Sequence, residues 1–252
     1  MECAPREVHA WRIHLDCSPN IVATLGETLR PDEQFRASRF VTQQLRNRWI
    51  VARGALRSIL ASYFHFKPNS LVFQPGTNGK PSLTFPVEFS CFNLSHTGNI
   101  ALLAIAESGD IGIDAEAIRP DTDITSLSQR FFASSESEEI LCLPQEKRTD
   151  AFFACWTRKE SYVKALGIGL SARLDSFRVN VNSNESPKLI SADFDRAERW
   201  SLIDISEPGV AATIAVEGAI PTLKRFDFNL KAYAESKSEP ASSQSIRATV
   251  RT

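Results

Sequence analysis

Net charge and usefully spaced cysteines are both scarce in this 252-residue chain. Its 29 Lys and Arg stand against 30 Asp and Glu, so no global field draws it toward nucleic acid or an anionic membrane. Cys3, Cys17, Cys91, Cys142 and Cys155 are an odd number, and no two stand at C-x-x-C spacing. That removes the common zinc and dithiol patterns and reads as reduced thiols. No run of about 18 apolar residues occurs, and the opening MECAPREVHAWRIHLDC places charges where a secretory signal needs an apolar core. The expectation is a cytoplasmic protein with no nucleic-acid or membrane partner. Core material is plentiful: 42% of residues are hydrophobic, with 16 Phe and 4 Trp, enough for one or two domains.

The small net charge conceals two blocks of opposite sign. Residues 30–67 hold eight basic residues (Arg30, Arg36, Arg39, Arg46, Arg48, Arg53, Arg57, Lys67) against Asp32 and Glu33. Residues 107–123 hold six acids against Arg119 alone. Such blocks are either solvated faces or places where the fold holds an anion and a cation.

Residues 8–15 alternate Trp11, Ile13 and Leu15 with Arg12 and His14, the period of a half-buried strand. Over 43–64 apolar residues recur in steps of three and four (Leu45, Trp49, Ala52, Leu56, Ile59, Leu60, Tyr63) without proline, which predicts one long amphipathic helix. On it Arg46, Arg53 and Arg57 fall on the solvent side, while Arg48 lies at the edge of the apolar stripe, able to point into a cleft. Gly54 marks close packing. A turn-rich stretch at 67–81, including Asn78, surrounds a short strand at 71–74. Strands are predicted at 89–94, 99–106 and 111–116, with Ser95-His96-Thr97-Gly98 as a polar turn. An acidic helix at 134–143 is stopped by Pro144, and a helix at 151–166 starts from Thr149 or Asp150 and ends at Gly167. Strands at 200–205 and 210–216 flank Glu207-Pro208-Gly209. From 232 to 252 almost nothing is left to bury, which reads as a disordered tail. Strand, helix and strands, followed again by helix and strands, predict an α+β fold of two similar halves, 1–110 and 111–231.

Four constellations carry chemistry. In Gly112-Ile113-Asp114-Ala115-Glu116 an extended backbone sends both carboxylates to one face, about 7 Å apart at Cα. Like charges this close suit Mg²⁺, which keeps waters and binds substrate phosphates; two solvated acids on a strand edge would look the same. Glu160 and Lys164 are four apart on one helical face with Trp156, either a surface ion pair or a third carboxylate beside an ammonium for a phosphate. Asn93-Leu94-Ser95-His96-Thr97-Gly98 lacks a G-x-S-x-G elbow, so a phosphate-binding turn is a better reading than nucleophile and base. Gly79-Lys80-Pro81 presents one ammonium on a rigid turn.

Taken together, GIDAE, the RFF of Arg130 to Phe132 followed by Glu136, WTRKESYVK and Gly167-Ile168-Gly169-Leu170, with GKP and NLSHTG upstream, resemble the 4′-phosphopantetheinyl transferase superfamily. The likeness is to its longer, surfactin-synthetase-activating (Sfp) type and covers residues 35–216. It implies two pseudo-symmetric α+β halves, the first serving the 3′-phosphate and adenine of coenzyme A and the second carrying Mg²⁺ and the catalytic helix. The implied reaction moves the 4′-phosphopantetheine arm to a serine of an apo acyl or peptidyl carrier protein in a monomeric enzyme. The family's metal ligands fall on Asp114, Glu116 and Glu160. Its coenzyme A contacts fall on Arg36, Arg48, Lys80 with Pro81, Ser95, His96, Asp114 and Lys164. Glu160 is the candidate general base with Glu116 as its rival, and Lys164 stabilises the developing charge. Glu33 stands where a further basic contact would be expected. A non-catalytic coenzyme A or carrier-binding module, and a Mg²⁺ phosphohydrolase, are the competing classes.

Overall fold

The computed structural model describes all residues except 77, 78, 90, 170–172, 239–247 and 252; Asn78, Leu170 and about half of the expected tail lie outside it. Strand β1 (Glu7–His14) is buried on both faces rather than one. Trp11 and Ile13 enter one core with the long helix, while Val8 and Ala10 enter a second, built from the sheet of the other half. Two eight-residue helices too short to show a clear period, α1 (Pro19–Gly26) and α2 (Pro31–Ser38), both begin on proline, pre-set for a first turn. Helix α3 (Gln43–Phe64) spans the predicted range. Thr42 caps it by accepting from the Leu45 amide at 3.2 Å. Gly54 is where α1 comes in: a Cβ there would stand 2.7 Å from Leu25 O.

Ribbon β2 (Val72–Pro75) and β3 (Pro81–Phe85) leads to β4 (Phe92–Thr97), β5 (Ile100–Ala106) and β6 (Ile111–Ala117). Ser95, His96 and Thr97 therefore belong to a strand, paired with Leu102, Ala101 and Ile100. The predicted polar turn contracts to Gly98 and Asn99, with Gly98 at φ 55°. Helices α4 (Ile124–Phe131) and α5 (Ser134–Cys142) precede α6 (Gln145–Leu166), which starts directly after Pro144, about one and a half turns before the expected cap. Proline cannot sit inside a helix but suits the place before one, so the break after α5 is also the start of α6. Gly167 at φ 66° ends it, as predicted. Ribbon β7 (Phe177–Val179) and β8 (Leu189–Ala192) then leads to the hairpin β9 (Trp200–Asp204) and β10 (Val210–Glu217).

The two-half reading is visible in the topology. Strand order β1-β5-β4 in one sheet is matched by β6-β10-β9 in the other, and each half has a 22-residue helix and a two-stranded ribbon. Sheet membership nevertheless crosses the expected division. Strand β11 (Thr222–Phe228) returns to the first sheet and pairs in parallel with β1, Glu7 opposite Thr222. Helix α7 (Leu230–Ser238) and strand β12 (Ala248–Arg251), which pairs with β11, occupy part of the expected tail. Tyr233 anchors α7: it is 5% exposed, and its hydroxyl oxygen accepts from Ser58 at 2.7 Å. One aromatic side chain recruits a segment whose average composition is that of a solvated tail.

Two family-like residues prove architectural. Lys159 and Glu136 are both fully buried and paired at 2.7 Å. Lys159 also donates to the carbonyls of Leu174 and Phe177, and Glu136 accepts from the amides of Ala133 and Val179. Every polar atom of the pair is spent on structure, which a buried ion pair requires.

His9 on β1 is equally buried, with Tyr63 Oη 2.5 Å from Nδ1 and Glu7 Oε2 3.2 Å from Nε2. Burial holds its imidazole below the ordinary 6.5. Between that lowered value and 6.5 the unfolded chain binds more protons than the folded one, so stability falls as the pH drops through this window. Urea unfolding at pH 7 and pH 5 should show this loss, and His9→Gln should flatten it; an unchanged slope in the variant would assign the loss elsewhere.

Candidate functional site

Helix α6 lies directly on β6, and Gly112 makes the contact possible: a Cβ there would stand 2.1 Å from Ser161 O and 2.3 Å from Ala165 N. The neighbours of those two helix residues, Glu160 and Lys164, are thereby laid over Asp114. Lys164 Nζ donates to Asp114 Oδ1 at 2.5 Å and to Ser95 Oγ at 3.2 Å. Asp114 is 3% exposed, and its second oxygen, Oδ2, is buried without a hydrogen-bond partner. Thr213, opposite Asp114 on β10, meets Thr157 of α6 at 3.1 Å and closes the helix onto the sheet from the other side.

Glu160 and Glu116 flank this buried pair. Burial, then the charge of Asp114, holds the carboxyl of each above the usual range, with Lys164 opposing in both. Asp114, Glu116 and Glu160 thus share one field. The donors are hard oxygens and one is an orphan, which fits a small divalent cation. Among the described residues no three acidic, histidine or cysteine side chains close into a preformed metal cage. Mg²⁺ needs none, since one or two carboxylates suffice when water and substrate phosphate complete its shell.

Beside this cluster runs a groove of about 400 Å³ whose lining includes Arg36, Trp49, Arg53, Phe73, Pro81 and His96. The Arg36 guanidinium lies 5.7 Å from the Trp49 ring and that of Arg53 lies 4.3 Å from the Phe73 ring. Cations resting on aromatic faces, with a histidine in the same lining, make a surface for a phosphorylated planar ligand. Consecutive residues of β4 join the two regions, Ser95 reaching the carboxylates and His96 the groove.

The structure thus brings together Ser95, Asp114, Glu116, Glu160 and Lys164 at one place, and Arg36, Pro81 and His96 at the next. Two predicted contacts go elsewhere. Arg48 makes a bidentate pair with Asp16, both distances 2.7 Å, and does not line the groove. Lys80, its ammonium lowered by burial, donates to Ala165 O at 3.0 Å and complements the carboxyl end of α6. The arginines expected in solvent also differ. Arg57 is fully buried and Arg53 lines the groove, both held by Glu33. Glu33 therefore organises arginines where a further cation was expected. Trp49, Arg53 and Phe73 were the missed lining residues; the i, i+4 spacing of Trp49 and Arg53 was the available signal.

Comparison with known proteins places the chain in a family. Residues 110–215 match the family model described as the 4′-phosphopantetheinyl transferase superfamily, and residues 16–108 match "4′-phosphopantetheinyl transferase, N-terminal". The 4′-phosphopantetheinyl transferase HetI of Nostoc is 40% identical over 215 residues, covering 84% of this chain and 88% of the relative. The transferase Sfp of Bacillus subtilis is 29% identical over 62% of this chain and 68% of its own. A solved holo-(acyl-carrier-protein) synthase of Bacillus anthracis in complex with CoA (3′,5′-ADP) overlaps 44% of this chain and 96% of its own at 22% identity and a TM-score of 0.36, too partial to carry weight. On the strength of the two family models and of a relative matched along most of its length, the chain belongs to the 4′-phosphopantetheinyl transferase superfamily.

Proposed function

We propose that the protein transfers the 4′-phosphopantetheine arm of coenzyme A to a serine of an apo carrier protein, with Mg²⁺, as a cytoplasmic monomer. The observation that carries this reading is the Lys164–Asp114 pair, with an orphaned carboxylate oxygen and two further carboxylates, set beside a groove of arginines and aromatic rings. In the reaction the serine oxygen bonds to the phosphorus that carries pantetheine. The bond from that phosphorus to the bridging oxygen breaks, 3′,5′-ADP departs, and the serine proton passes to a carboxylate. Arg36 and His96 hold the nucleotide phosphate, and Trp49 and Phe73 offer faces for its base. Lys164 neutralises charge on the pyrophosphate, and Glu160 takes the proton. Asp114, Glu116 and Glu160 would hold Mg²⁺, which would supply further neutralisation of the charge on the pyrophosphate. An odd number of cysteines with no C-x-x-C pair supports the cytoplasm as the site of action.

Incubation with coenzyme A, Mg²⁺ and an apo carrier should add the phosphopantetheine mass to the carrier and release 3′,5′-ADP in equal amount. A pure binding module gives no covalent product, and a phosphohydrolase releases 3′,5′-ADP without a carrier; either result overturns the reading. Calorimetry with 3′,5′-ADP separates the arginines. Arg36→Ala is expected to weaken binding by roughly tenfold or more, as loss of a charged contact does. Arg48→Ala is expected to leave it unchanged, and a comparable loss there would return Arg48 to the ligand site.

A further inference from the structure

Strands β4 and β6 are the edge strands of their two sheets and lie against one another, yet among the described residues no backbone hydrogen bond joins them. An edge is a row of amide donors that must find acceptors. Along the edge of β6 that faces β4 the acceptors are side chains. The amide of Ile113 donates to Asn93 Oδ1 at 2.9 Å, that of Ala115 to Ser95 Oγ at 3.3 Å, and that of Ala117 to Thr97 Oγ1 at 2.8 Å. Acceptors stand at every second residue of one strand and donors at every second residue of the other, both running in the same direction.

We propose that Asn93, Ser95 and Thr97 are positioning residues for the transfer reaction: a ladder of side chains that fixes the register of Asp114 and Glu116 against the groove of the first half. This rests on the transferase reading above. Alternation in β4 leaves Leu94 and His96 on the groove side. A slip of one residue would present the amides of Gly112, Asp114 and Glu116, which lie on the side of β6 that pairs with β10. A slip of two would carry Asp114 about 7 Å along the strand. It would also set the shorter hydroxyl of Ser95 where the longer amide of Asn93 has to reach. The three acceptors are therefore not interchangeable, and only one register satisfies all of them.

The middle rung ties the ladder to the chemistry. The Ser95 hydroxyl donates to Asp114 Oδ1 at 3.3 Å and accepts from the Ala115 amide and from Lys164 Nζ. One donor and two lone pairs are all that a hydroxyl has. In this state Ser95 has no hydrogen left for a phosphate; it positions the pair that meets one.

The outer rung gives the cleanest test, because Thr97 is not part of the groove lining and its hydroxyl accepts from the Ala117 amide rather than meeting the carboxylates. Thr97→Val keeps the shape and removes the acceptor, whereas Thr97→Ser keeps the acceptor. With saturating coenzyme A and carrier, kcat of Thr97→Val should fall roughly ten- to a hundredfold, the size of a small misplacement of reacting groups. Its Kd for 3′,5′-ADP, a ligand of the first half, should not change, and Thr97→Ser should recover kcat. Amide exchange at Ala117 should quicken in Thr97→Val alone. Unaltered exchange at Ala117, unaltered kcat, or loss of kcat and 3′,5′-ADP binding in parallel would each overturn the proposal. Should the parent protein modify no carrier, the transferase reading fails by itself, and exchange at Ala117 still decides whether the ladder holds the register.

Discussion

Replacing Glu160 by glutamine is expected to lower the rate of carrier modification by roughly 10³-fold, the usual worth of a positioned general base. The substitution keeps the size of a half-buried side chain on α6, so the packing between Trp156 and Lys164 is preserved. It removes a carboxyl that burial and the charges of Asp114 and Glu116 already hold above the ordinary range, so the melting temperature should hold or rise. Activity and stability should therefore move apart, which distinguishes a chemical role from a structural one. A carboxyl held above the ordinary range by burial is also a better proton acceptor near neutral pH. Glu116→Gln is the paired measurement. The residue whose loss lowers kcat at every Mg²⁺ concentration is the base, and the one whose loss is offset by added Mg²⁺ is a ligand. A carrier modified at the original rate by Glu160→Gln would remove the base from this position.

Gly112→Ala is expected to cost at least about 4 kcal/mol, beyond the range of most single substitutions. The new methyl would fall 2.1 Å from Ser161 O, 2.3 Å from Ala165 N and 2.9 Å from Ala165 Cα. All three are backbone atoms of one helix, so no rotamer change makes room. Helix α6 has to lift off β6, and Glu160 and Lys164 lift with it away from Asp114. Urea unfolding should show the loss of stability, and whatever folded protein remains should modify carrier poorly. A variant as stable as the parent would mean that the helix can ride on the strand without contact at this point.

The residues proposed to carry the chemistry were more legible than the cavity around them. Asp114 and Glu116 declare themselves by strand period, and Glu160 and Lys164 by helical period, because both rules are local and the two elements meet face to face. Helix α3 was legible in its length but not in its faces. An arginine drawn on the solvent side of a helical wheel is assumed to meet water, and Arg57 instead donates to Glu33 and to the carbonyls of Pro68 and Leu71. Burial of a long helix on several sides depends on elements far along the chain, about which the wheel carries no information. The pairing of Arg48 was hidden for the related reason that Asp16, its partner, lies in a loop with no period. The N-x-S-x-T alternation of β4 was present in the sequence, but a run of polar residues beside a glycine reads as a turn until its pairing with β5 is known.

The parallel pairing of β1 with β11 bears on how the molecule is made. Those strands stand about two hundred residues apart in sequence, and contacts of such separation close late because the intervening loop must first be ordered. On a ribosome, β1 can pair with β5 as soon as the first half has emerged, but its other edge stays open until residues 222–228 follow. During that interval the nascent chain displays an unpaired strand edge and is exposed to misassembly with its neighbours.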